Sequence, residues 1–355
     1  MINNTYLIGV TGTNGKTSVT SFIAQISRHC GLPAAAIGQR IELDDTVLNR
    51  DLVSRKKGGL FRYFKKLSDD QNYKVISCEV YSAAIMRHAH VDIPYDIVVF
   101  TNLASDHQSV HGSSTLYRKQ KLRFLNQLSP NTPVLIPPKA SRLNEIIEAS
   151  DKANLCPTII ADPYPFFSGP FEDAFMNENA SLAVEVCKLI GLPTEKITEA
   201  VKQLTLPPGR MIRRKTKNGA TIIIDFAHNP HGLKAVLQSI RKSTQGDIHL
   251  ILSSKGGWGK SKRNEMGVVA SKLADHVIIA DDDPRHEDPA VIRAQLNVNR
   301  CFDEVPNRAL AIKKAYSKLK SDDCLLIAGR GEDNYFVNTF GRMKFNDLQL
   351  VESLL

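Results

Sequence analysis

A glycine-rich loop near the start of the chain contains the residues best suited to phosphate chemistry. Residues 9–17 read GVTGTNGKT, and they stand between an apolar segment at 6–8 and a helical pattern. A strand, a glycine loop and a helix in this order bind nucleotide phosphates, because backbone N–H groups at the helix start point at them. Lys16 is expected to reach the terminal phosphates of ATP or GTP, and the Thr17 hydroxyl to ligate Mg²⁺. The remaining loop contacts would come from Thr13, Asn14 and Gly15.

Polar residues follow two further apolar segments. Glu79 closes a predicted strand over 74–80, and acids at the carboxyl ends of parallel strands face the ligand crevice, although a solvated strand end is the alternative. A second predicted strand, 96–101, leads into TNLASDH at 101–107 and HG at 111–112. Two histidines, an aspartate and an asparagine on one loop indicate a metal or phosphate site, but their spacing matches no defined metal signature. A polar loop without a ligand therefore stays open as the other interpretation.

The elements that would position these residues alternate along the whole chain. Short apolar runs alternate with helical stretches, a pattern typical of parallel sheets with crossover helices. The sequence LPPG at 206–209 breaks regular structure, and 355 residues are enough for two domains. We therefore predict an α/β chain with domains at 1–206 and 207–355. Further predicted helices are 113–128, 173–190, 230–241 and 264–273, and further predicted strands are 220–226, 248–253, 276–280 and 324–328.

Composition narrows the class of protein. A hydrophobic content of 42% and a charged content of 23% are those of a soluble globular protein. The six cysteines form no CxxC pair, which argues against a zinc site and suits a reducing cytosol. No signal peptide or membrane-spanning run is visible, so we expect a cytoplasmic protein. The net charge of +9 is spread out, and the basic clusters at 55–57 and 213–215 lack interleaved aromatic residues. We expect anionic small substrates, and neither nucleic acid nor membrane, as partners.

The motifs together resemble those of one family. TGTNGKT at 11–17 and TNLASDHQSVHGSSTLYRKQKLRF at 101–124 resemble elements of the Mur ligases, which are ATP-dependent amide-forming ligases. This family includes the peptidoglycan enzymes and the folylpolyglutamate synthetases. The resemblance implies a P-loop ATPase domain with a central, mostly parallel sheet, followed by a Rossmann-like α/β C-terminal domain that binds the amino acid.

In the first predicted domain the resemblance assigns a second metal site. The lysine matching Lys121 is carbamylated by CO₂ in the family, and the carbamate helps to hold a second Mg²⁺ with the histidine matching His107. A carbamate is an oxygen ligand, which Mg²⁺ prefers. Glu79 matches an acidic metal ligand, and its context, EVYS at 79–82, resembles the EVSS of the muramyl-tripeptide (MurE-type) ligases and makes Ser82 a substrate candidate. Asn179 matches an adenine-contacting residue, although the partner asparagine expected three residues earlier is a methionine.

In the second predicted domain the resemblance continues with departures. PGRM at 208–211 is similar to a GRME element, whose arginine, here Arg210, faces the ATP phosphates. DFAHNP at 225–230 resembles DYAHNP, so the resemblance implies that Asp225 contacts the ribose and that His228 belongs to the nucleotide site. A carboxylate at a strand end can also accept from ribose hydroxyls on general grounds, and a helix N-terminal acid is the alternative.

Two further segments resemble the amino-acid pocket of the MurE-type ligases. DDPR at 282–285 is similar to DNPR, whose arginine, here Arg285, grips the incoming carboxylate; Asp283 replaces the asparagine. AGRGEDNY at 328–335 resembles AGKGHEDYQ, with Asp333 as a shortened form of the acid that holds a distal ammonium. The glycine loop usually written GG-x-RD also departs, because it reads GGWGK at 256–260. An amino-acid pocket is therefore expected, with diaminopimelate left open.

The phosphate loop begins at residue 9, whereas MurE-type enzymes carry a domain before it that grips the UDP part of the substrate. We expect that domain to be absent, and we expect a MurE-like ligase of a specialised pathway that joins an amino acid to another carboxylate through an acyl phosphate. The catalytic residues would be Lys16, Lys121, His107 and Arg210, with ATP and two Mg²⁺ ions. Alternatives are a UDP-muramyl-peptide ligase, a folylpolyglutamate-type or poly-glutamate ligase, and a non-catalytic nucleotide-binding protein.

Overall fold

The structure, a computed structural model of the chain, describes residues 4–38, 40–43, 46–49, 58–104, 113–160, 170–257, 260–338 and 341–355. The chain divides into two compact units. The first contains the described residues of 1–105 and 115–205, and the second those of 106–114 and 206–355. Each unit is built on a largely parallel sheet with helices, which confirms the predicted α/β class. The assignment of 1–206 and 207–355 to two family domains stays a prediction.

The first unit is organised around an eight-stranded sheet of order β4-β3-β2-β5-β1-β6-β7-β8. In the part of the sheet that runs β2-β5-β1-β6-β7-β8, neighbouring strands pair in parallel. At the edge of the sheet, β3 pairs antiparallel with β2, and β4 pairs antiparallel with β3. The central strand β1 is an apolar run buried on both faces, as expected for a parallel strand covered by helices. The strands are β1 (Tyr6–Thr11), β2 (Ala34–Ile37), β3 (Arg40–Leu43), β4 (Thr46–Asn49), β5 (Val75–Glu79), β6 (Ile97–Phe100), β7 (Pro133–Ile136) and β8 (Cys156–Ile159).

The helices of the first unit pack their apolar sides towards this sheet and one another. The helix after the glycine loop, α1 (Lys16–His29), buries Val19, Phe22, Ile23 and Ile26, the positions that its periodicity predicts. The other helices are α2 (Gly59–Asp69), α3 (Ser82–Met86), α4 (Ser114–Arg123), α5 (Leu143–Lys152), α6 (Ala174–Leu189) and α7 (Thr194–Lys202). A 3₁₀ turn at Leu125–Gln127 follows α4, so the helix predicted over 113–128 ends earlier than expected.

The second unit contains a six-stranded sheet of order β13-β12-β11-β14-β10-β9, in which only the edge strand β9 is antiparallel to its neighbour. A separate antiparallel hairpin pairs β15 with β16. The strands are β9 (Ile212–Lys215), β10 (Thr221–Asp225), β11 (Ile248–Leu252), β12 (His276–Ile279), β13 (Asp303–Glu304), β14 (Cys324–Ala328), β15 (Tyr335–Asn338) and β16 (Gly341–Lys344). The helices are α8 (Pro230–Ser243), α9 (Lys260–Leu273), α10 (Pro289–Leu296), α11 (Arg308–Tyr316) and α12 (Asp347–Glu352), with a 3₁₀ turn at Val298–Arg300.

Most predicted elements are present with ends shifted by a few residues. The strand predicted over 324–328 has the predicted bounds, whereas the helix predicted from residue 264 begins at Lys260. The four-residue strands β2, β3, β7 and β8 had no prediction, because runs this short carry little periodicity. No helix in the described part of the chain has the length and apolar character required to cross a membrane.

Candidate functional site

The glycine loop joins the carboxyl end of β1 to the amino end of α1. Gly12 has a φ of 131°, and a Cβ at this position would lie 2.0 Å from the Thr101 hydroxyl oxygen. Gly15, with a φ of 85°, is the left-handed residue that precedes the first turn of the helix. Only glycine meets both demands without strain, and the N–H groups at the start of a helix attract an anion. The local geometry is therefore that of a phosphate-binding loop.

The segment after β6 holds this loop in shape. The side chain of Asn102 accepts from the Asn14 N–H and donates to the Asn14 carbonyl, each at 3.1 Å. The Thr101 hydroxyl donates to the same carbonyl at 2.6 Å. The Thr13 hydroxyl exchanges hydrogen bonds with the backbone of Ala104, at 3.1 and 3.0 Å. Ligand contacts of Thr13 and Asn14 stay predictions, whereas the role of Asn102 as the side chain that positions the loop was not predicted from the sequence.

Lys16 folds back onto the loop that precedes it. Its ammonium donates to the carbonyls of Gly12 at 3.0 Å and Thr13 at 2.7 Å, and it lies 5.9 Å from the centre of the Tyr81 ring. The cation is therefore held beside the amino end of α1, where a phosphate would be bound. The contact of Lys16 with the terminal phosphates stays a prediction.

Two of the predicted metal ligands are in contact. The Thr17 hydroxyl donates to Glu79 Oε1 at 3.0 Å, because β1 and β5 pair in parallel with Val10 opposite Glu79. Glu79 is 1% exposed, which excludes the alternative of a solvated strand end. A Cβ at Gly38 would lie 2.1 Å from Oε1, so the glycine leaves room for the carboxylate. A hydroxyl and a buried carboxylate beside a phosphate loop are oxygen donors of the kind that Mg²⁺ takes.

Lys121 is buried in the same unit. Lys121 lies in the last turns of α4 and is 1% exposed, so it is not a solvated lysine on the surface of the helix. The ammonium lies 3.4 Å from the Thr11 hydroxyl, and that hydroxyl donates at 3.2 Å to the carbonyl of Val80, the residue after Glu79. The ammonium is also 5.6 Å from the centre of the Tyr117 ring. The structure thus brings Lys121 to the strand ends that carry the predicted metal ligands.

Asn179 lies close to the glycine loop, and Ser82 begins the helix that follows β5. The side-chain oxygen of Asn179, on α6, lies where it would be 2.6 Å from a Cβ at Gly15. Met176, which replaces an asparagine of the family, lies 3.9 Å from Asn179 through its sulfur. Ser82 is buried at the first turn of α3, directly after Tyr81. The proposed adenine and substrate contacts of Asn179 and Ser82 stay predictions.

The predicted metal ligand His107 lies outside the described residues, as do Asp106 and His111. In the described ranges no group of three or more His, Cys, Asp or Glu side chains is arranged to hold a metal ion. The described members of the predicted ligand set are therefore Thr17, Glu79 and Lys121.

In the second unit, the predicted nucleotide residues form a cluster at the carboxyl end of β10. Asp225 accepts from the Met211 N–H at 3.0 Å and from the Ala227 N–H at 2.8 Å. The Arg210 guanidinium lies 4.6 Å from the centre of the Phe226 ring, an arrangement that favours the cation. His228 contacts the Phe226 carbonyl through Nδ1 at 2.9 Å. Asp225 therefore fixes the backbone next to Arg210, a positioning role that the sequence analysis did not assign to it.

The predicted amino-acid residues Asp283 and Asp333 take part in a charged network. Arg330 donates to Asp282 at 2.5 Å and to Asp283 at 2.9 Å, and the same oxygen of Asp283 accepts from the Val337 N–H. Lys255 lies 3.3 Å from the other oxygen of Asp283 and 2.5 Å from Asp333. The structure thus brings together two of the three residues predicted for the amino-acid pocket, with two cations, Lys255 and Arg330, that had no predicted role.

The charges of this network shift the pKa values of its members. Burial alone raises the pKa of Asp282, but Lys255, Arg330 and Arg308 outweigh it and hold that pKa below its usual value. Burial alone lowers the pKa of Lys255, but Asp282, Asp333 and Asp283 raise it above the usual value. Asp282 and Lys255 are therefore both charged at neutral pH.

Arg285, the third residue predicted for the amino-acid pocket, lies next to this network. It has a φ of 56°, a left-handed conformation that costs a residue with a side chain about 1–2 kcal/mol. A Cβ at Gly257 would lie 3.3 Å from Arg285 Cδ, so the arginine packs along the loop that contains Lys255. Strained backbone of this kind is concentrated at functional sites.

Comparison with known proteins decides the family. The model described as "Mur ligase middle domain" matches residues 10–161, and "Mur ligase, glutamate ligase domain" matches residues 209–331. Over 97% of its length the chain is 30% identical to UDP-N-acetylmuramoyl-L-alanyl-D-glutamate–2,6-diaminopimelate ligase of Rickettsia conorii, of which it covers 78%. The chain belongs to the Mur ligase family. Ligase 2 of the same name from Clostridium acetobutylicum is also 30% identical, over 98% of this Mur ligase and 78% of the relative.

Solved structures show the same fold. A UDP-N-acetylmuramoyl-L-alanyl-D-glutamate–2,6-diaminopimelate ligase superimposes with a TM-score of 0.62 at 22% identity, covering 99% of this chain and 78% of that one. Mycobacterium tuberculosis folylpolyglutamate synthase, complexed with ADP and AMPPCP, gives a TM-score of 0.72 at 18% identity. The match covers 92% of this chain and 89% of that one. Membership of the Mur ligases confirms the predicted family and enzyme class, an ATP-dependent ligase that forms an amide between an amino acid and a carboxylate.

Proposed function

We propose that this Mur ligase uses ATP and a divalent metal ion to activate the carboxylate of a small acceptor, which the amino group of an amino acid then attacks. The observation that carries the proposal is the contact of Thr17 with the buried Glu79 at the start of the helix that follows the glycine loop. An oxygen pair for a hard cation, beside N–H groups directed at an anion, is what a metal–nucleotide complex requires.

The proposed reaction has two steps. An acceptor carboxylate oxygen attacks the γ-phosphorus of ATP, which forms an acyl phosphate and releases ADP. The amino group of the amino acid then attacks the acyl carbon, phosphate leaves, and the nitrogen loses its proton. Lys16 neutralises phosphate charge at the amino end of α1, and Arg210 is proposed from the family resemblance to do the same. Such catalysis rests on positioning and on charge stabilisation rather than on covalent chemistry of the protein.

The described residues Thr17, Glu79 and Lys121 fit a magnesium site in the first unit. By the family resemblance, Lys121 would be carbamylated, and His107, which lies outside the described residues, would be a further ligand of the two Mg²⁺ ions. The bound ions would supply charge neutralisation at the phosphates. The burial of Lys121 supports the carbamate, since a buried charge is costly unless it is paired, and the carbamate oxygens would be paired with the metal ions. His107 is proposed as a ligand rather than as a base.

Two classes of acceptor substrate are candidates. The relatives named above act, by their names, on a UDP-N-acetylmuramoyl peptide, and their 30% identity favours that substrate class. The expectation from the sequence is a different acceptor, a small carboxylate. We propose the second, a small carboxylate of a specialised pathway, and we propose that the amino acid binds near Arg285 and Asp333.

The test is phosphate release from ATP and Mg²⁺, measured across a panel of amino acids with and without UDP-muramyl dipeptide. Release that depends on an amino acid and on a carboxylate other than the muramyl peptide supports the proposal. Strong activity with UDP-muramyl dipeptide would replace the proposed acceptor. Release that is independent of every amino acid would contradict the ligase function itself.

A further inference from the structure

Lys255 forms ion pairs with the carboxylates that would otherwise hold a cationic substrate side chain. Its ammonium lies 2.5 Å from Asp333 and 3.3 Å from Asp283, and the three side chains remain 24%, 34% and 9% exposed. The cluster is therefore open enough for a ligand to reach, but its acids already have a cation. Asp333 and Asp283 stand at the positions where the family resemblance places contacts to the incoming amino acid.

Lys255 lowers the net negative charge of this cluster. Three carboxylates, Asp282, Asp283 and Asp333, face two cations, Lys255 and Arg330, so the cluster carries one net negative charge. Removal of Lys255 would leave two net negative charges, one of them on the part-exposed Asp333. A second ammonium brought to Asp333 would meet Lys255 at short range, and like charges repel strongly where solvent is partly excluded.

The backbone around Lys255 is fixed. The next residue, Gly256, donates its N–H to the Asp283 carbonyl at 2.7 Å, and a Cβ there would lie 1.9 Å from the Pro284 carbonyl oxygen. The buried Arg263 donates to the Lys255 carbonyl at 3.0 Å and to both oxygens of Glu287 at 2.8 and 3.2 Å. Lys255 is thus presented to Asp283 and Asp333 by a loop that is held on two sides.

We propose that Lys255 takes, from within the chain, the place of the distal ammonium of a basic amino acid, and that this ligase selects amino acids whose side chains carry no positive charge. The inference rests on the proposed function, because it names the substrate class of the proposed amino-acid site. It also separates this chain from the relatives whose names specify 2,6-diaminopimelate, a substrate with a second ammonium group.

The experiment compares the wild-type protein with Lys255→Met, which keeps most of the length of the side chain and removes its charge. Binding of the proteinogenic amino acids and of meso-diaminopimelate is measured by calorimetry with ADP and Mg²⁺ present, alongside amino-acid-dependent phosphate release. Lys242→Met is the matched control, because Lys242 is exposed on α8 and contacts none of these carboxylates. Thermal melting verifies that both variants are folded.

The wild-type protein is expected to bind uncharged or acidic amino acids in preference to lysine and diaminopimelate. Lys255→Met is expected to gain at least about tenfold in affinity for lysine or diaminopimelate, and Lys242→Met to show no gain. Wild-type preference for lysine or diaminopimelate overturns the inference, whether or not the variant folds. Selection among amino acids with no phosphate release from any acceptor would instead contradict the proposed function, and absence of any amino-acid binding would contradict the inference.

Discussion

The Thr17 hydroxyl donates to Glu79 Oε1 at 3.0 Å, which joins the first turn of the helix after the glycine loop to the end of the neighbouring strand. The two residues are 62 positions apart in the chain, and the parallel pairing of β1 with β5 brings them together. A hydroxyl and a carboxylate in contact form half of the ligand set that the proposed metal site requires.

Replacement of Glu79 tests that site. Glu79→Gln keeps the shape of the side chain and removes its charge, so the Mg²⁺ concentration that gives half-maximal phosphate release should rise at least about tenfold, a loss typical of metal partners. Glu148→Gln, on the exposed side of α5, is the control and should leave the Mg²⁺ dependence unchanged. An unchanged Mg²⁺ dependence in Glu79→Gln would show that the carboxylate is not a ligand.

Gly38 offers a second route to the same site. Gly38→Ala places a methyl group 2.1 Å from Glu79 Oε1, so the carboxylate must move and the Mg²⁺ dependence should weaken as in Glu79→Gln. Because both changes act on one carboxylate, the double variant should lose little beyond the larger single loss. Additive losses would separate Gly38 from the metal site.

Lys121 tests the carbamate. Lys121→Ala should lower the rate of ligation on the order of 100-fold or more, because an oxygen ligand near the transferring phosphate is lost. Acetate or another short carboxylate should restore part of the rate by refilling the oxygen position, whereas a small amine should not. Rescue by amines alone would show that Lys121 acts as a cation.

The burial of Lys121 determines the controls for this experiment. The residue is 1% exposed, so its truncation leaves a cavity and stability has to be measured together with activity. Lys121→Met fills the cavity without an oxygen and should stay inactive with or without acetate. Lys119→Ala changes an exposed lysine of the same helix and should leave the rate unaffected.

Arg285 tests the amino-acid site. Arg285→Ala should raise the amino-acid KM about 30-fold or more with little change in the ATP KM, since loss of one partner of a buried charged pair costs about 2–5 kcal/mol. Arg300→Ala is a matched control, because Arg300 is an exposed arginine with a left-handed φ of 53°. An unchanged amino-acid KM would assign residues 282–285 to an ordinary turn.

His249, which lies outside the proposed nucleotide and amino-acid sites, makes the folding stability of the second unit depend on pH. Its ring stacks on His276 at 4.6 Å between centres and lies 3.4 Å from Asp323. Burial and the neighbouring His276 lower the pKa of His249 in the folded protein, against the opposing effect of Asp323 and Asp247. The neutral ring is therefore favoured by folding, and its contribution to stability is present above the unfolded pKa of about 6.5 and lost as pH falls below it.

The measurement for His249 is the midpoint of urea unfolding between pH 7.5 and pH 5.5. The wild-type midpoint should fall more steeply with acidification than that of His249→Gln, which has no proton to gain. Equal slopes would mean that protonation of His249 is not linked to folding.

Local features of the chain could be predicted because they depend on neighbours in sequence. The glycine loop, the helix that buries Val19 and Phe22, and the apolar strand at 324–328 each need only a few adjacent residues with the right spacing. The family motifs likewise identified a Mur ligase, since their residue types and spacing are specific. The sequence therefore predicted the fold class and the enzyme class.

The environments of individual side chains were decided by the tertiary structure. Lys121 reads as a polar helix residue, yet packing encloses it beside Thr11, which lies 110 residues away. Lys255 had no assigned role, because its partner Asp333 lies 78 residues further on. Such contacts follow from strand order and loop packing, which bring distant segments together at distances of a few ångströms. Periodicity and spacing describe one segment at a time. They therefore do not show which charged side chain of a distant segment will pair with a given residue, as Lys255 does with Asp333.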